Sequence, residues 1–325
     1  MTGDPTLRDL VPERQVRRLE LTVSRRLDGL LHGQYLGLLP GSGSEIAGSR
    51  EYRPGEDEVR RMDWAVTART QLPHVREVDA DRELSTWLLV DATPSMDFGT
   101  ADLEKRELAV AAVAAVGFLT AGAGNRLGAY VIGAGGVRRH PARTGRSYLL
   151  GLLRTLLAAP RGAPGGRTPG LADAIDQLLR GTPRRGLAVV VSDFLDGLPD
   201  DGVSPPGWEA AMRRLAVRHQ VLAVEISDPR EWELPDVGVI TLVDPETGER
   251  REVSTGDPRL RDRYAEAAAA QRELVRRALR RAGATHLPLR TDRDWAADIV
   301  RHVHTQRRLT VAGRGHSVGV PGGRR

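Results

Sequence analysis

Two apolar runs in this sequence end in aspartate, and oxygen-bearing side chains follow each of them. Leu88-Leu89-Val90 leads into Asp91-Ala92-Thr93-Pro94-Ser95, and Leu187-Ala188-Val189-Val190-Val191 leads into Ser192-Asp193-Phe194-Leu195-Asp196. Between them lies Gly166-Arg167-Thr168-Pro169-Gly170, a loop by composition just ahead of a helical stretch. Runs of this kind are strands buried on both faces, and an open parallel sheet binds ligands beyond the carboxyl ends of its strands. If the two strands are neighbours, Asp91, Thr93, Ser95, Thr168 and Asp193 converge on one point. Five hydroxyl or carboxylate side chains, with no imidazole or thiolate, suit one hard cation, Mg²⁺ or Mn²⁺. Only two of these ligands carry charge, so the cation stays electrophilic if one of them acts through water. Such an ion favours an incoming carboxylate from a partner, which is recruitment rather than a reaction.

Other chemistry finds little support. The 325 residues contain no cysteine, which removes disulfides, thiolate catalysis and iron–sulfur clusters. Lys105 is the one lysine, set in Leu103-Glu104-Lys105-Arg106 with no glycine loop before it, so there is no phosphate-binding Gly-x-x-x-x-Gly-Lys-Ser/Thr. An aspartate-nucleophile phosphatase of the haloacid-dehalogenase type also places Asp and Mg²⁺ at a strand end. It needs a second aspartate two positions on, where this chain has Thr93, and a lysine at the phosphate, whereas Lys105 falls within an expected helix. His302 and His304, two apart on a helix, point to different faces. Gly315-His316-Ser317-Val318-Gly319 spells a hydrolase elbow, but it lacks the strand before it and the helix after it. Asp196 reads as a loop cap.

The elements that would position the site follow from the hydrophobic pattern. Leu10 to Leu31 reads as a helix, and the stretch 45–79 as irregular or short-stranded, with Tyr52 and Trp64 packing on the core. From residue 83 strands alternate with helices. The expected strands are Thr86–Val90, Arg126–Ile132, Val137–His140 at an edge, Leu187–Val191, Gln220–Ile226 and Thr285–Leu289. The expected helices are Leu103–Thr120, Ser147–Ala158, Leu171–Leu179, Trp208–Arg218, Arg259–Ala282 and Trp295–His304. A β-hairpin is inserted at Gly238–Val253. This alternation predicts a doubly wound, mainly parallel α/β sheet with helices on both faces. The expected division is an N-terminal extension at 1–82, the α/β domain at 83–307, and a disordered Arg/Gly-rich tail at 308–325.

Charge and composition bound the partners. A net charge of +5 looks basic, but the arginines alternate with acids and aromatics make up only 4%, too few for base-stacking surfaces. No nucleic acid is expected. No apolar run reaches the roughly 20 residues of a membrane span, and the first residues carry no signal-peptide core, so a cytoplasmic protein is expected.

The pattern Asp91-x-Thr93-x-Ser95, Thr168, Asp193 resembles the metal-ion-dependent adhesion site (MIDAS) of von Willebrand factor A domains, with Thr93 standing for the usual first serine. Thr93 keeps the hydroxyl and adds a methyl group. Arg50-Glu51-Tyr52-Arg53-Pro54-Gly55-Glu56-Asp57, Arg61-Met62-Asp63-Trp64 and Thr67-Ala68-Arg69 resemble the signature of the DUF58 family, in which a von Willebrand A-like domain follows such a segment. The likeness covers about residues 45–245 closely. The resemblance implies a non-catalytic adaptor that works with a MoxR-type AAA+ ATPase on an unknown client protein. It also implies the five residues above as ligands of one Mg²⁺ or Mn²⁺. Many family members carry N-terminal membrane helices, and none is read here. The alternatives are a metal-free scaffold and, behind it, the Mg²⁺-dependent phosphatase.

Overall fold

A computed structural model describes residues 12–27, 46–53, 59, 62–78, 85–120, 125–161, 168–245 and 247–315. Its centre is a six-stranded sheet in the order β10-β7-β6-β3-β4-β5. These strands are β3 (Ser85–Asp91), β4 (Arg126–Gly133), β5 (Gly136–Arg143), β6 (Leu187–Ser192), β7 (Gln220–Ser227) and β10 (Thr285–Arg290). All neighbours run parallel except β4 and β5, a hairpin that ends the sheet. The chain builds β3, β4 and β5 toward one edge, then returns to lay β6, β7 and β10 on the other side of β3. The switch point, where a doubly wound sheet opens its ligand crevice, therefore lies between β3 and β6.

Strand alternation sorts the core into two halves. Leu88, Val90, Val189, Val191, Leu222 and Val224 face one side, where they meet α3 (Lys105–Thr120), α4 (Arg146–Leu157), α8 (Trp295–Gly315) and α1 (Pro12–Arg26). Trp87, Leu89, Val190 and Ala223 face the other, against α5 (Leu171–Gly181), α6 (Glu209–Arg218) and α7 (Pro258–Arg281). Helix α3 is buried almost all round, as its Ala- and Val-rich sequence requires, because the sheet covers one flank and α1 another.

Two expectations are corrected here, the place of Trp64 and the end of the last helix. Val16, Leu19, Val23 and Leu27 of α1, in the N-terminal extension, are buried in the same core as β3 and α3. The stretch 45–79 is short-stranded, as expected: β1 (Ile46–Glu51) pairs antiparallel with β2 (His74–Val78), and a short helix α2 (Trp64–Thr70) lies between them. Asp63 caps α2 by accepting from the Ala65 and Val66 amides at 3.1 and 3.2 Å. Asp63 thus turns inward and is buried, whereas Trp64, expected on the core, is 66% exposed at the first helical position. Helix α8 continues to Gly315, past the expected end at His304 and into the expected tail. No proline stands in Thr310-Val311-Ala312 to stop it, and each added residue gains a backbone hydrogen bond. The elbow-like motif beyond Gly315 and residues 54–58 of the signature segment lie outside the described residues. The inserted hairpin is β8 (Val239–Val243) with β9 (Arg250–Ser254), largely exposed. Among the described residues no helix is long and apolar enough to cross a membrane.

Candidate metal centre

Strands β3 and β6 pair in register, Val90 with Val191, so the next residues, Asp91 and Ser192, stand level at the rim. Ser192 donates its hydroxyl to Asp91 Oδ2 at 2.7 Å and accepts the Phe194 amide at 3.1 Å, which ties the ends of the two strands together. Asp91 Oδ1 accepts both the amide and the hydroxyl of Thr93, at 3.0 and 2.7 Å, the local turn that aspartate favours after a strand. Pro94–Met96 then form one 3-10 turn, which brings Ser95 Oγ to 3.1 Å from Thr93 Oγ1. Ser95 in turn hydrogen-bonds Asp193. A continuous chain of hydroxyls thus joins the carboxylate of β3 to that of the β6 loop.

Asp193 is aimed by an unusual backbone. The next residue, Phe194, has φ +59°, a left-handed conformation that costs a non-glycine residue on the order of 1–2 kcal/mol. Packing holds it there. The Phe194 ring lies edge-on to Trp208 with centroids 5.3 Å apart, and the indole N–H of Trp208 donates to the Phe194 carbonyl at 3.3 Å. Asp193 Oδ1 accepts the Leu195 amide at 3.1 Å.

Its other oxygen meets a cation of the protein itself. Lys105, at the first turn of α3, is 0% exposed, and its ammonium lies 2.8 Å from Asp193 Oδ2 and 2.5 Å from Glu231 Oε1. A lysine at a helix N-terminus opposes the helix dipole, so burial there requires carboxylate compensation. Glu231 is itself held by the Asp228 amide, which donates to Glu231 Oε2 at 2.9 Å. Asp228, fully buried after β7, accepts the Thr100 amide and hydroxyl and the Thr291 hydroxyl at 2.6–2.8 Å. Four loops at this rim are thereby locked together.

Burial pushes the Asp91 carboxyl up to about 6, and the neighbouring charge of Asp193 adds to the rise against the hydrogen bonds of Ser192 and Thr93. Burial alone would raise Asp193 too, but Lys105 outweighs it and holds Asp193 below the usual carboxylate range. Burial works against the charge of Lys105, yet its two carboxylates outweigh that and raise its pKa. Burial raises Glu231 as well, against the pull of Lys105, so Asp91 and Glu231 are the two carboxyls of the cluster that are pushed up.

Residues 48–274 match the family described as "Protein of unknown function DUF58". The chain belongs to the DUF58 family. An uncharacterized protein of Mycobacterium tuberculosis is 56% identical to this DUF58 protein over 298 residues, covering 92% of this chain and 90% of the relative. An uncharacterized protein of Mycobacterium avium is 51% identical over 176 residues, covering 54% of this chain and 98% of the relative. Among solved structures, an aerotolerance-related membrane protein from Bacteroides fragilis aligns at 13% identity and TM-score 0.38, covering 68% of this chain and 99% of that one. The VWA domain of SpRpn10 aligns at 15% identity and TM-score 0.35, covering 67% and 93%. The fold assignment rests on the strand order above rather than on these likenesses.

The donor set of this DUF58 protein is compatible with a hard cation at its first loop. Ligands about 2.1 Å from Mg²⁺ at right angles stand about 3 Å apart. The spacings Asp91 Oδ1 to Thr93 Oγ1, 2.7 Å, and Thr93 Oγ1 to Ser95 Oγ, 3.1 Å, are of that size. Among the described residues no cluster of three or more His, Cys, Asp or Glu is arranged for a metal, so any ion here relies on hydroxyls. Thr168 is half-buried ahead of α5, and among the described residues no hydrogen bond joins it to the other four. Its stretch is nevertheless drawn to the rim: Asp196 Oδ2 caps α5 by accepting the Leu171 amide at 2.7 Å. Sequence reasoning missed Lys105, Ser192 and Glu231 as members of the site. The available signal was Lys105, one lysine in a chain whose other basic residues are all arginine.

Proposed function

We propose that this DUF58 protein is a non-catalytic interaction module whose docking point is a divalent-cation site at the β3–β6 rim. Asp91, Thr93 and Ser95 would hold Mg²⁺ or Mn²⁺ directly, Asp193 would act through water because Lys105 already occupies one of its oxygens, and Thr168 would approach from the α5 side. A cation bound there supplies an electrophilic centre for a partner's carboxylate. The observation that carries the reading is the hydroxyl chain from Asp91 to Asp193 across the switch point of the sheet. By family resemblance the partner is a MoxR-type AAA+ ATPase, acting on a client yet to be identified.

The rival phosphatase reading is disfavoured by the same contacts. Both Asp91 oxygens accept hydrogen bonds, and the one lysine is bound by two carboxylates instead of facing the crevice. The metal-free scaffold has one observation in its favour, that the Lys105 ammonium already serves Asp193 as a cation. Calorimetric titration with Mg²⁺ separates the readings. Wild type should bind one ion, Asp91→Ala should bind none while keeping its fold, and the same variant should lose Mg²⁺-dependent pull-down of the ATPase. Pull-down that is unchanged in Asp91→Ala would refute the docking role.

A further inference from the structure

The functional reading leaves Lys105 without a task. A structural ammonium can sit on any surface, yet this one is the chain's only lysine and is fully buried, against the dipole of its own helix. It bridges Asp193, one of the proposed cation ligands, and Glu231, which is not a ligand. Arg106, next in sequence, pairs with Asp97 at 2.5 Å, so the neighbouring guanidinium serves a different carboxylate. One ammonium against three carboxylates (Asp91, Asp193 and Glu231) leaves the cluster negative, with room for further positive charge. That charge must share Asp193 with Lys105.

We propose that Lys105 is a tethered competitor for the divalent ion, setting the affinity of the site by occupying Asp193, with Glu231 as the anchor that retains the ammonium when Asp193 is released. The inference rests on the reading that Asp91, Thr93 and Ser95 bind a divalent cation. Its physical basis is that two cations on one carboxylate repel each other and divide its lone pairs. Glu231 then decides the balance. Held from both sides, Lys105 can lean away from Asp193 without becoming a lone buried charge, a state too costly to populate.

The test is Mg²⁺ titration by calorimetry on the full chain, with thermal-shift curves as a second measure. Lys105→Met should bind Mg²⁺ at least about tenfold tighter than wild type, because a unit charge next to a divalent ion is removed. Glu231→Gln should bind at least about threefold weaker, because Lys105 then has only Asp193 as a charged partner. Lys105→Met leaves the buried Asp193 and the half-buried Glu231 without their cation, and if it fails to fold, Glu231→Gln, which keeps an acceptor for the ammonium, decides the matter. In wild type, selective ¹⁵N-lysine labelling yields one side-chain resonance, which should shift as Mg²⁺ is added. Unchanged or weaker affinity in Lys105→Met, or unchanged or tighter affinity in Glu231→Gln, overturns the competition while wild-type binding still upholds the site. Binding seen only in Lys105→Met, and lost again when Asp91→Ala is added, supports the competition in its strongest form. No binding in wild type or either variant overturns both the competition and the reading beneath it.

Discussion

Asp91→Asn should stabilise the metal-free protein at neutral pH while abolishing its response to Mg²⁺. Asp91 is 5% exposed, and its carboxyl is raised from 3.8 to about 6, first by burial and then by Asp193. At about 1.4 kcal/mol per pH unit, this places about 3 kcal/mol against the ionised form at pH 7.5. The folded value lies above the unfolded one. This group's contribution is therefore fully present below pH of about 4 and is lost as pH rises through about 6. Asparagine keeps an oxygen for the Thr93 amide and hydroxyl but turns an amide toward Ser192, which now donates to Asp91. The raised value already includes the Ser192 and Thr93 hydrogen bonds, but an amide facing the Ser192 hydroxyl leaves that donor without its acceptor at a cost of about 1–2 kcal/mol, so the expected net gain is about 1–2 kcal/mol. Urea denaturation of both proteins in a chelator, at pH 7.5 and pH 4.5, measures it. The gain should appear at the higher pH and vanish at the lower, and saturating Mg²⁺ should stabilise only wild type. A variant less stable than wild type at pH 7.5, or a difference that ignores pH, would refute the electrostatic account of the site.

Three further outcomes follow from the packing. Asp228→Ala strips acceptors from the Thr100 amide and hydroxyl and the Thr291 hydroxyl, and should cost about 3 kcal/mol or more by urea denaturation. Gly128→Ala places a Cβ 2.3 Å from the Trp87 ring, its partner in register on β3, and should lower stability by about 1–3 kcal/mol with a changed tryptophan fluorescence. Trp64→Ala, at an exposed position, should change stability by no more than about 0.5 kcal/mol in the same assay; a loss of several kcal/mol would show that the indole packs on the fold after all.

The central strands were legible because both faces of β3 and β6 are buried, which forces unbroken apolar runs such as Leu88-Leu89-Val90 and Val189-Val190-Val191. The aspartates at their ends are legible because they break those apolar runs, although both are themselves buried. What escaped was set by long-range contact. Nothing local says that α1 covers α3, because the apolar stripe of α1 would suit any partner. Trp64 reads as core from its size and apolar character alone, whereas the Asp63 cap starts a helix there and leaves its first residue facing outward. Lys105 has no local mark of its role, since its sequence context shows only a helix with no glycine loop before it. Only pairing across 88 residues to Asp193 and 126 to Glu231 reveals its burial.

Helix α3 is gripped by the sheet beneath and by α1 above, and this restricts how the rim can respond to a visitor. A helix buried almost all round has no free direction in which to slide or tilt without opening a void. The main chain at Lys105 is thus a fixed post, and its ammonium can change partners only by rotation about the bonds of its own side chain. Any rearrangement at the crevice must accordingly be short in reach and confined to the rim loops, leaving the body of the domain still.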